Sequence, residues 1–184
     1  MTAIELMQRR HAESAAQRFQ PLSEIPSLRA LVIACADQRA DPTHILGLKP
    51  GEAAVIRNAG GRITPATIQM VAMMATVVAE AGARGGFELI LLHHTDCGVA
   101  RLAPHDQVLA SYFDIPVSAL GDKHVTEPAR AVQADLDCLR ATPILPDTLI
   151  VSGLVYDVET GGLELAVPPG PLRGRERGPS PRPA

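Results

Sequence analysis

Two cysteines and a histidine follow apolar segments of the chain, where their side chains could bind one metal ion. Residues 89–98 read Leu-Ile-Leu-Leu-His-His-Thr-Asp-Cys-Gly, so a strand-like run ends in two histidines and a cysteine. A tight turn can direct the imidazole of His94 and the sulfur of Cys97 at a single point. A second apolar run, residues 28–34, ends at Cys35. Zn²⁺ prefers sulfur and imidazole ligands, and three of them leave open the fourth position that catalytic zinc requires.

Two features of this predicted site have more than one interpretation. His93 competes with His94 for the ligand position, and only one of them can face the metal because neighbouring strand residues point to opposite faces. Asp37 and Arg39 are two residues apart in the loop after the first cysteine. They form either a solvated ion pair or a pair beside the metal, where the carboxylate ligates the ion or is held off it by the arginine. Cys138 lies beside the apolar face of a predicted helix and is interpreted as a packing residue.

Segments with strand and helix patterns alternate along the chain. In this arrangement the strands are parallel and joined by right-handed crossovers, so we predict an α/β fold with a central, mostly parallel β-sheet flanked by helices. The loops after parallel strands converge on one edge of the sheet, which would bring the candidate ligands together. The predicted strands are residues 29–34, 52–57, 87–92 and 148–157, the last in a hairpin with 163–165, and the predicted helices are 2–19, 65–81, 106–113 and 127–140.

The chain of 184 residues is long enough for one well-packed domain. Residues 1–27 are predicted to form an N-terminal helical arm, and residues 28–167 the zinc-binding α/β domain. Residues 168–184 read Pro-Pro-Gly-Pro-Leu-Arg-Gly-Arg-Glu-Arg-Gly-Pro-Ser-Pro-Arg-Pro-Ala, without apolar periodicity. Such a composition predicts a disordered tail.

Composition and charge restrict the partners and the compartment. A net charge of -3 gives no general attraction to nucleic acid, and no segment has the roughly 20 apolar residues that a membrane span needs. Three cysteines do not suggest a disulfide framework, so a reducing, cytoplasmic location is predicted. The predicted helix 65–81 is apolar on almost every side, which favours packing on the sheet and on another subunit. We therefore expect a homodimer or a multiple of dimers.

The motifs Cys35-x-Asp37-x-Arg39 and His94-x-x-Cys97-Gly98, in this order, resemble the signature of the β-class carbonic anhydrases. The segment 57–61, Arg-Asn-Ala-Gly-Gly, resembles that family's segment after the second strand, and the resemblance covers about residues 28–166. It implies a parallel sheet flanked by helices, assembled as dimers or multiples of dimers with sites near the subunit interface. It also implies that Cys35, His94 and Cys97 bind one zinc per chain and that Asp37 and Arg39 form a catalytic dyad beside the metal.

The activity that this resemblance implies is the reversible hydration of carbon dioxide to bicarbonate by zinc-bound hydroxide. The segment 93–97 resembles a compact bacterial and archaeal subgroup, in which some relatives hydrolyse carbon disulfide or carbonyl sulfide. The chain has no tryptophan and so cannot build the tryptophan-containing bicarbonate pocket that inhibits some members. A non-catalytic zinc-binding regulatory domain is a third interpretation, because closed structural sites use four protein ligands and Asp37 could be the fourth.

Overall fold

A computed structural model describes residues 1–82, 86–147 and 149–174 of the chain. Its centre is a five-stranded sheet of order β2-β1-β3-β4-β5, in which the first four strands are parallel and β5 is antiparallel to β4. This confirms the predicted α/β fold with a mostly parallel sheet. The strands are β1 (Ala30–Cys35), β2 (Ala53–Asn58), β3 (Glu88–His94), β4 (Ile150–Tyr156) and β5 (Leu163–Pro171).

The predicted helices are present with small shifts of their ends. The helix after β2 begins where the sequence indicates, because Thr64 caps it by accepting a hydrogen bond from the backbone of Thr67 and Pro65 occupies its first turn. A short additional helix, α2, follows the loop after β1. The helices are α1 (Ala3–Arg18), α2 (Pro42–Ile45), α3 (Pro65–Glu80), α4 (Asp106–Phe113) and α5 (Pro128–Arg140).

Alternation along the central strands divides the core into two faces and separates the two histidines. In β3, Leu89 and Leu91 belong to the larger core cluster, which also contains residues of α3 and α5, whereas Leu92 belongs to the smaller cluster on the other face. Continuing this alternation places His93 on the side of α5 and directs His94 away from it.

The expected boundary of the C-terminal tail is wrong. Residues 168–171 continue β5, Leu172 is only 1% exposed, and Arg173 donates hydrogen bonds to three backbone carbonyls. The prolines made this segment look unstructured, but β5 lies at the edge of the described sheet beside β4, and an edge strand tolerates residues that lack an N–H group. Residues 175–184, the rest of the expected tail, lie outside the described residues, as does Thr148, the first residue of the strand predicted over 148–157.

Helix α3 packs on the sheet through one side, as predicted. Thr67 and Val71 are buried, whereas Met70, Met73 and Val77 on the same helix are 47%, 69% and 51% exposed. Packing of this outer side on another subunit stays a prediction. Within the part of the chain that the structure describes, no helix is long and apolar enough to cross a membrane.

Candidate metal centre

Cys35, His94 and Cys97 converge at one edge of the sheet. The ligand atoms that they offer all lie within 4.8 Å of one another, and the two sulfurs are 3.8 Å apart. Cys35 is the last residue of β1 and His94 the last of β3, and these strands are parallel neighbours. The sheet topology therefore brings together residues that are about sixty positions apart, as the strand-end pattern predicted.

The imidazole of His94 presents one nitrogen to the two sulfurs. Its Nδ1 lies 2.8 Å from the carbonyl oxygen of Thr95, a contact in which the ring nitrogen donates. This bond leaves Nε2 as the nitrogen with a free lone pair. Nε2 of His94 is buried and has no hydrogen-bond partner among the described residues. A buried polar atom is normally satisfied, so an unpartnered nitrogen beside two thiols fits the role of a metal ligand.

The two cysteine thiols are coupled, because their sulfurs share one hydrogen bond in which either can donate. The hydrogen bond between the two sulfurs lowers the pKa of Cys35 far below that of a free thiol, and this effect exceeds the opposing effect of burial. The same bond, together with burial, raises the pKa of Cys97. The pair therefore shares a negative charge between two sulfurs, and metal binding requires thiolates. The donor set of two thiolates and one imidazole is typical of zinc.

Asp37 and Arg39 form a bidentate pair next to these ligands. Nε of Arg39 donates to Oδ1 of Asp37 at 3.1 Å and Nη2 donates to Oδ2 at 2.8 Å, while the backbone N–H of Arg39 also donates to Oδ1. These hydrogen bonds lower the pKa of Asp37 to about 2. All five predicted site residues are therefore brought together, and the catalytic role of this pair stays a prediction.

A cavity of about 230 Å³ opens beside the ligands and is lined by His94 and Cys97. Its other walls combine small apolar side chains, Val99, Val125 and Ala131, with charged groups. Small aliphatic walls suit a small apolar substrate.

Comparisons with known proteins agree with this arrangement. Residues 30–163 match the family model described as carbonic anhydrase. "Beta-carbonic anhydrase 1" of Mycobacterium tuberculosis is 32% identical over 80% of this chain and 88% of its own length. The chain belongs to the β-class carbonic anhydrase family.

This family member is also similar to proteins that are named for different activities. A crystal structure of carbonic anhydrase from Streptococcus mutans superposes with a TM-score of 0.71 at 27% identity, covering 90% of this chain and 98% of that one. "Carbon disulfide hydrolase" of an Acidianus species is 27% identical over 74% of this chain and 76% of its own length. Family membership is therefore compatible with more than one substrate.

Asp96 also contacts the Asp37–Arg39 pair of this carbonic anhydrase family member. The sequence alone did not reveal this partner. Nη1 of Arg39 donates to Oδ2 of Asp96 at 2.8 Å, and Nη2 donates to the Asp96 carbonyl oxygen at 3.0 Å. Asp96 has a left-handed backbone with φ of 49°, which aspartate tolerates better than most residues. In the sequence, the feature that could have indicated this role is the position of Asp96 between the predicted ligands His94 and Cys97.

The segment after β2 supports the Cys35 loop. The guanidinium of Arg57 donates to the carbonyl oxygens of Cys35 and Asp37 at 2.9 and 2.7 Å. Gly61, with φ of 67°, approaches β1 so closely that a Cβ atom there would lie 2.9 Å from the backbone of Ala34 and Cys35. The glycine pair is therefore more than a tight turn, because it permits backbone contact at a candidate ligand.

His93 joins a buried ionic cluster, whereas His94 is the histidine that lies with Cys35 and Cys97. Its Nε2 lies 3.2 Å from Oδ2 of Asp135, although the contact is poorly aligned for a hydrogen bond. Arg62 donates to both carboxylate oxygens of Asp135 at 2.8 and 3.1 Å. Burial would raise the pKa of Asp135, but His93 and Arg62 outweigh it and hold that pKa below its usual value.

Cys138 is partly buried against the core, as predicted.

Proposed function

We propose that this protein is a zinc-dependent carbonic anhydrase that reversibly hydrates carbon dioxide to bicarbonate. Cys35, His94 and Cys97 would hold one zinc ion per chain. The observation that carries the proposal is the buried Nε2 of His94, which lies beside two sulfurs and has no hydrogen-bond partner in the described part of the chain. The carboxylate of Asp37 next to them is already engaged by Arg39. Three protein ligands and an engaged carboxylate describe a site with an open position.

A bound zinc ion would lower the pKa of its coordinated water and so supply a nucleophile near neutral pH. The pKa of about 7 is the general value for carbonic anhydrase and is not specific to this chain. Asp37 accepts a hydrogen bond from the attacking water and orients its lone pair toward the substrate carbon. Arg39 holds both oxygens of this carboxylate, which keeps Asp37 ionised and directed away from ligation. Val99, Val125 and Ala131 bound the cavity with apolar surface, which suits a small linear molecule without charge.

A second candidate is hydrolysis of carbon disulfide at the same site. Its support is the similarity to proteins named carbon disulfide hydrolase, among them the one from Acidianus. The protein of that name from Saccharolobus solfataricus is 26% identical over 76% of this chain. The small apolar side chains in the cavity wall would suit either linear substrate. A non-catalytic site closed by Asp37 is less well supported, because the Asp37 carboxylate makes two hydrogen bonds with the Arg39 side chain.

We also propose that the protein works as a homodimer or a multiple of dimers. Met70, Met73 and Val77 expose apolar surface on α3, and such surfaces commonly form subunit contacts. Light scattering at micromolar concentration should give at least twice the chain mass of 19.5 kDa. A mass equal to that of one chain would contradict this proposal.

A reducing compartment such as the cytoplasm suits these ligands. Cys35, Cys97 and Cys138 are all free thiols in the structure, and a zinc site needs its cysteines unoxidised. Fractionation of the native host, followed by immunodetection of the protein, tests this location. Detection outside the cytoplasm would contradict it.

Stopped-flow measurements separate the candidate activities. The zinc-loaded protein and its Cys97→Ser variant are mixed with carbon dioxide in a pH-indicator assay and, separately, with carbon disulfide in an assay for hydrogen sulfide. We expect carbon dioxide hydration by the wild type and its loss in the variant. Turnover of carbon disulfide alone would favour the second candidate, and turnover of neither substrate would favour a non-catalytic site.

A further inference from the structure

We propose that Asp96 is a positioning residue that holds Arg39 in the orientation needed to engage Asp37, an inference that rests on the proposed function. Asp96 lies in the turn between two candidate ligands, and its carboxylate and carbonyl oxygens both accept hydrogen bonds from the Arg39 guanidinium. The pair next to the metal centre is therefore a chain of three residues, Asp37–Arg39–Asp96.

The guanidinium needs this second anchor because it is open to solvent. The Arg39 side chain is 43% exposed, whereas that of Asp37 is 18% exposed. An ion pair with such an exposed arginine is screened by water and is opposed by the entropy of the long side chain. Asp96 accepts from Nη1 and, through its carbonyl oxygen, from Nη2, while Asp37 accepts from Nε and Nη2. Both sides of the planar group are thus fixed.

The anchor also links the two loops that carry the metal ligands. Arg39 belongs to the loop after β1, and Asp96 to the turn after β3. The guanidinium cannot rotate away from Asp37 without also breaking its bonds to Asp96. If Asp96 is removed, Arg39 should leave Asp37 more often. A carboxylate released beside a bound cation would then coordinate it and close the open position.

Two substitutions separate the loss of the anchor from the loss of charge. Asp96→Asn removes the charge but retains a side-chain oxygen that can accept from Nη1. Asp96→Gly removes the side chain, and glycine tolerates the left-handed backbone at this position. Asp114→Gly is the matched control, because Asp114 is also exposed and left-handed, with φ of 54°, and lies at the end of α4 outside the candidate centre.

The open position can be measured on full-length protein loaded with cobalt. Azide is titrated into each protein at one fixed pH, and its binding is followed by the visible absorption of cobalt. When only part of the population has an open position, the apparent dissociation constant rises in inverse proportion to the open fraction. We expect Asp96→Gly to weaken azide binding measurably but by less than about fivefold, because the loss of one exposed charged contact shifts the balance between closed and open positions by at most that factor. Asp96→Asn and Asp114→Gly should resemble the wild type.

A double variant identifies the competing ligand. In an Asp37→Asn background the competing carboxylate is absent, so adding Asp96→Gly should leave azide binding unchanged. Equal azide affinity in wild type and Asp96→Gly would overturn the positioning role. Equal weakening of azide binding by Asp96→Asn and Asp96→Gly would also overturn it, because that result indicates an effect of charge alone. A wild-type spectrum unaffected by azide would also overturn it. Failure of the wild type to take up cobalt at all would instead reject the proposed metal centre, on which the inference rests.

Discussion

Arg62 and Asp135 form a bidentate ion pair across 73 residues of sequence, with side chains only 2% and 0% exposed. The pair connects the loop after β2 with α5, and Arg62 also donates to the backbone carbonyls of Lys123 and His124. His93, next to the candidate ligand His94, packs against the same carboxylate. This cluster therefore joins the cavity wall to the end of β3.

Removal of the charge on Asp135 should be strongly destabilising. Asp135→Asn leaves the Arg62 guanidinium buried without an anionic partner, which typically costs about 3–5 kcal/mol in the free energy of unfolding. Chemical denaturation of the variant measures this loss. Asp137→Asn is the control, since Asp137 lies on the same helix but is 61% exposed and should change stability little. Equal effects of the two substitutions would show that the buried pair has no special contribution.

Acid should abolish the advantage of the wild type over Asp135→Asn. The pKa of Asp135 is lower in the folded chain than the value of about 3.9 in unfolded peptides. Its contribution to stability is therefore fully present above about pH 4 and is lost as the pH falls toward the folded pKa. Denaturation curves from neutral to acidic pH test this sign. A difference between the two proteins that grows in acid would contradict it.

Gly61→Ala should damage both the fold and the metal centre. The new Cβ would lie 2.9 Å from the backbone at Ala34 and Cys35, and the residue would keep an unfavourable positive φ. Gly82→Ala is the control, because Gly82 also has a positive φ but has no atom within 4 Å of the place that a Cβ would take. We expect a loss of about 1–2 kcal/mol for the control and a larger loss for Gly61→Ala, measured by denaturation. Equal losses would exclude close approach to β1 as the cause.

The strand-end position of the ligands was predictable from sequence, but their supporting contacts were not. Cys35, His94 and Cys97 each follow an apolar run, and parallel topology then places them together. Asp96 and Arg39 are 57 residues apart, and Asp135 is on a helix with no local feature that identifies its partner. Long-range pairs of this kind leave no periodic pattern.

The hairpin with residues 163–165 was predicted, but the continuation of β5 to Pro171 was missed for a different reason. The prolines of residues 168–171 argue against a central strand, and sequence alone did not reveal that β5 lies at the sheet edge. Burial of Leu172 is also invisible locally, since a single leucine among proline, glycine and arginine has no periodic partner. Alternation predicted that only one of His93 and His94 could face a metal, and the family resemblance implied His94. The contact of His93 with Asp135 in α5 agrees with that choice.

Arg39→Ala should retain zinc and lose most hydration activity. Without the guanidinium, Asp37 is free to coordinate the metal and no longer orients the attacking water. Misplacement of one positioning group commonly costs about 100-fold in rate. Stopped-flow assays and a zinc-loaded crystal structure, with Asp37 as the fourth ligand, would test both consequences. Arg130→Ala is the control, because Arg130 is an exposed arginine paired with Glu127. Near-normal turnover by Arg39→Ala would show that the Asp37–Arg39 pair is only a surface salt bridge.

The zinc content of purified Cys97→Ser, compared with wild type and Cys138→Ser, tests the metal centre most directly. Serine does not supply a thiolate, so Cys97→Ser should lose most of the one zinc per chain expected for wild type. Cys138→Ser alters a cysteine that packs against the core and belongs to no ligand cluster among the described residues, and it should keep its zinc. Elemental analysis of the three proteins after dialysis gives the ratio of zinc to chain. Full zinc retention in Cys97→Ser would contradict the proposed centre.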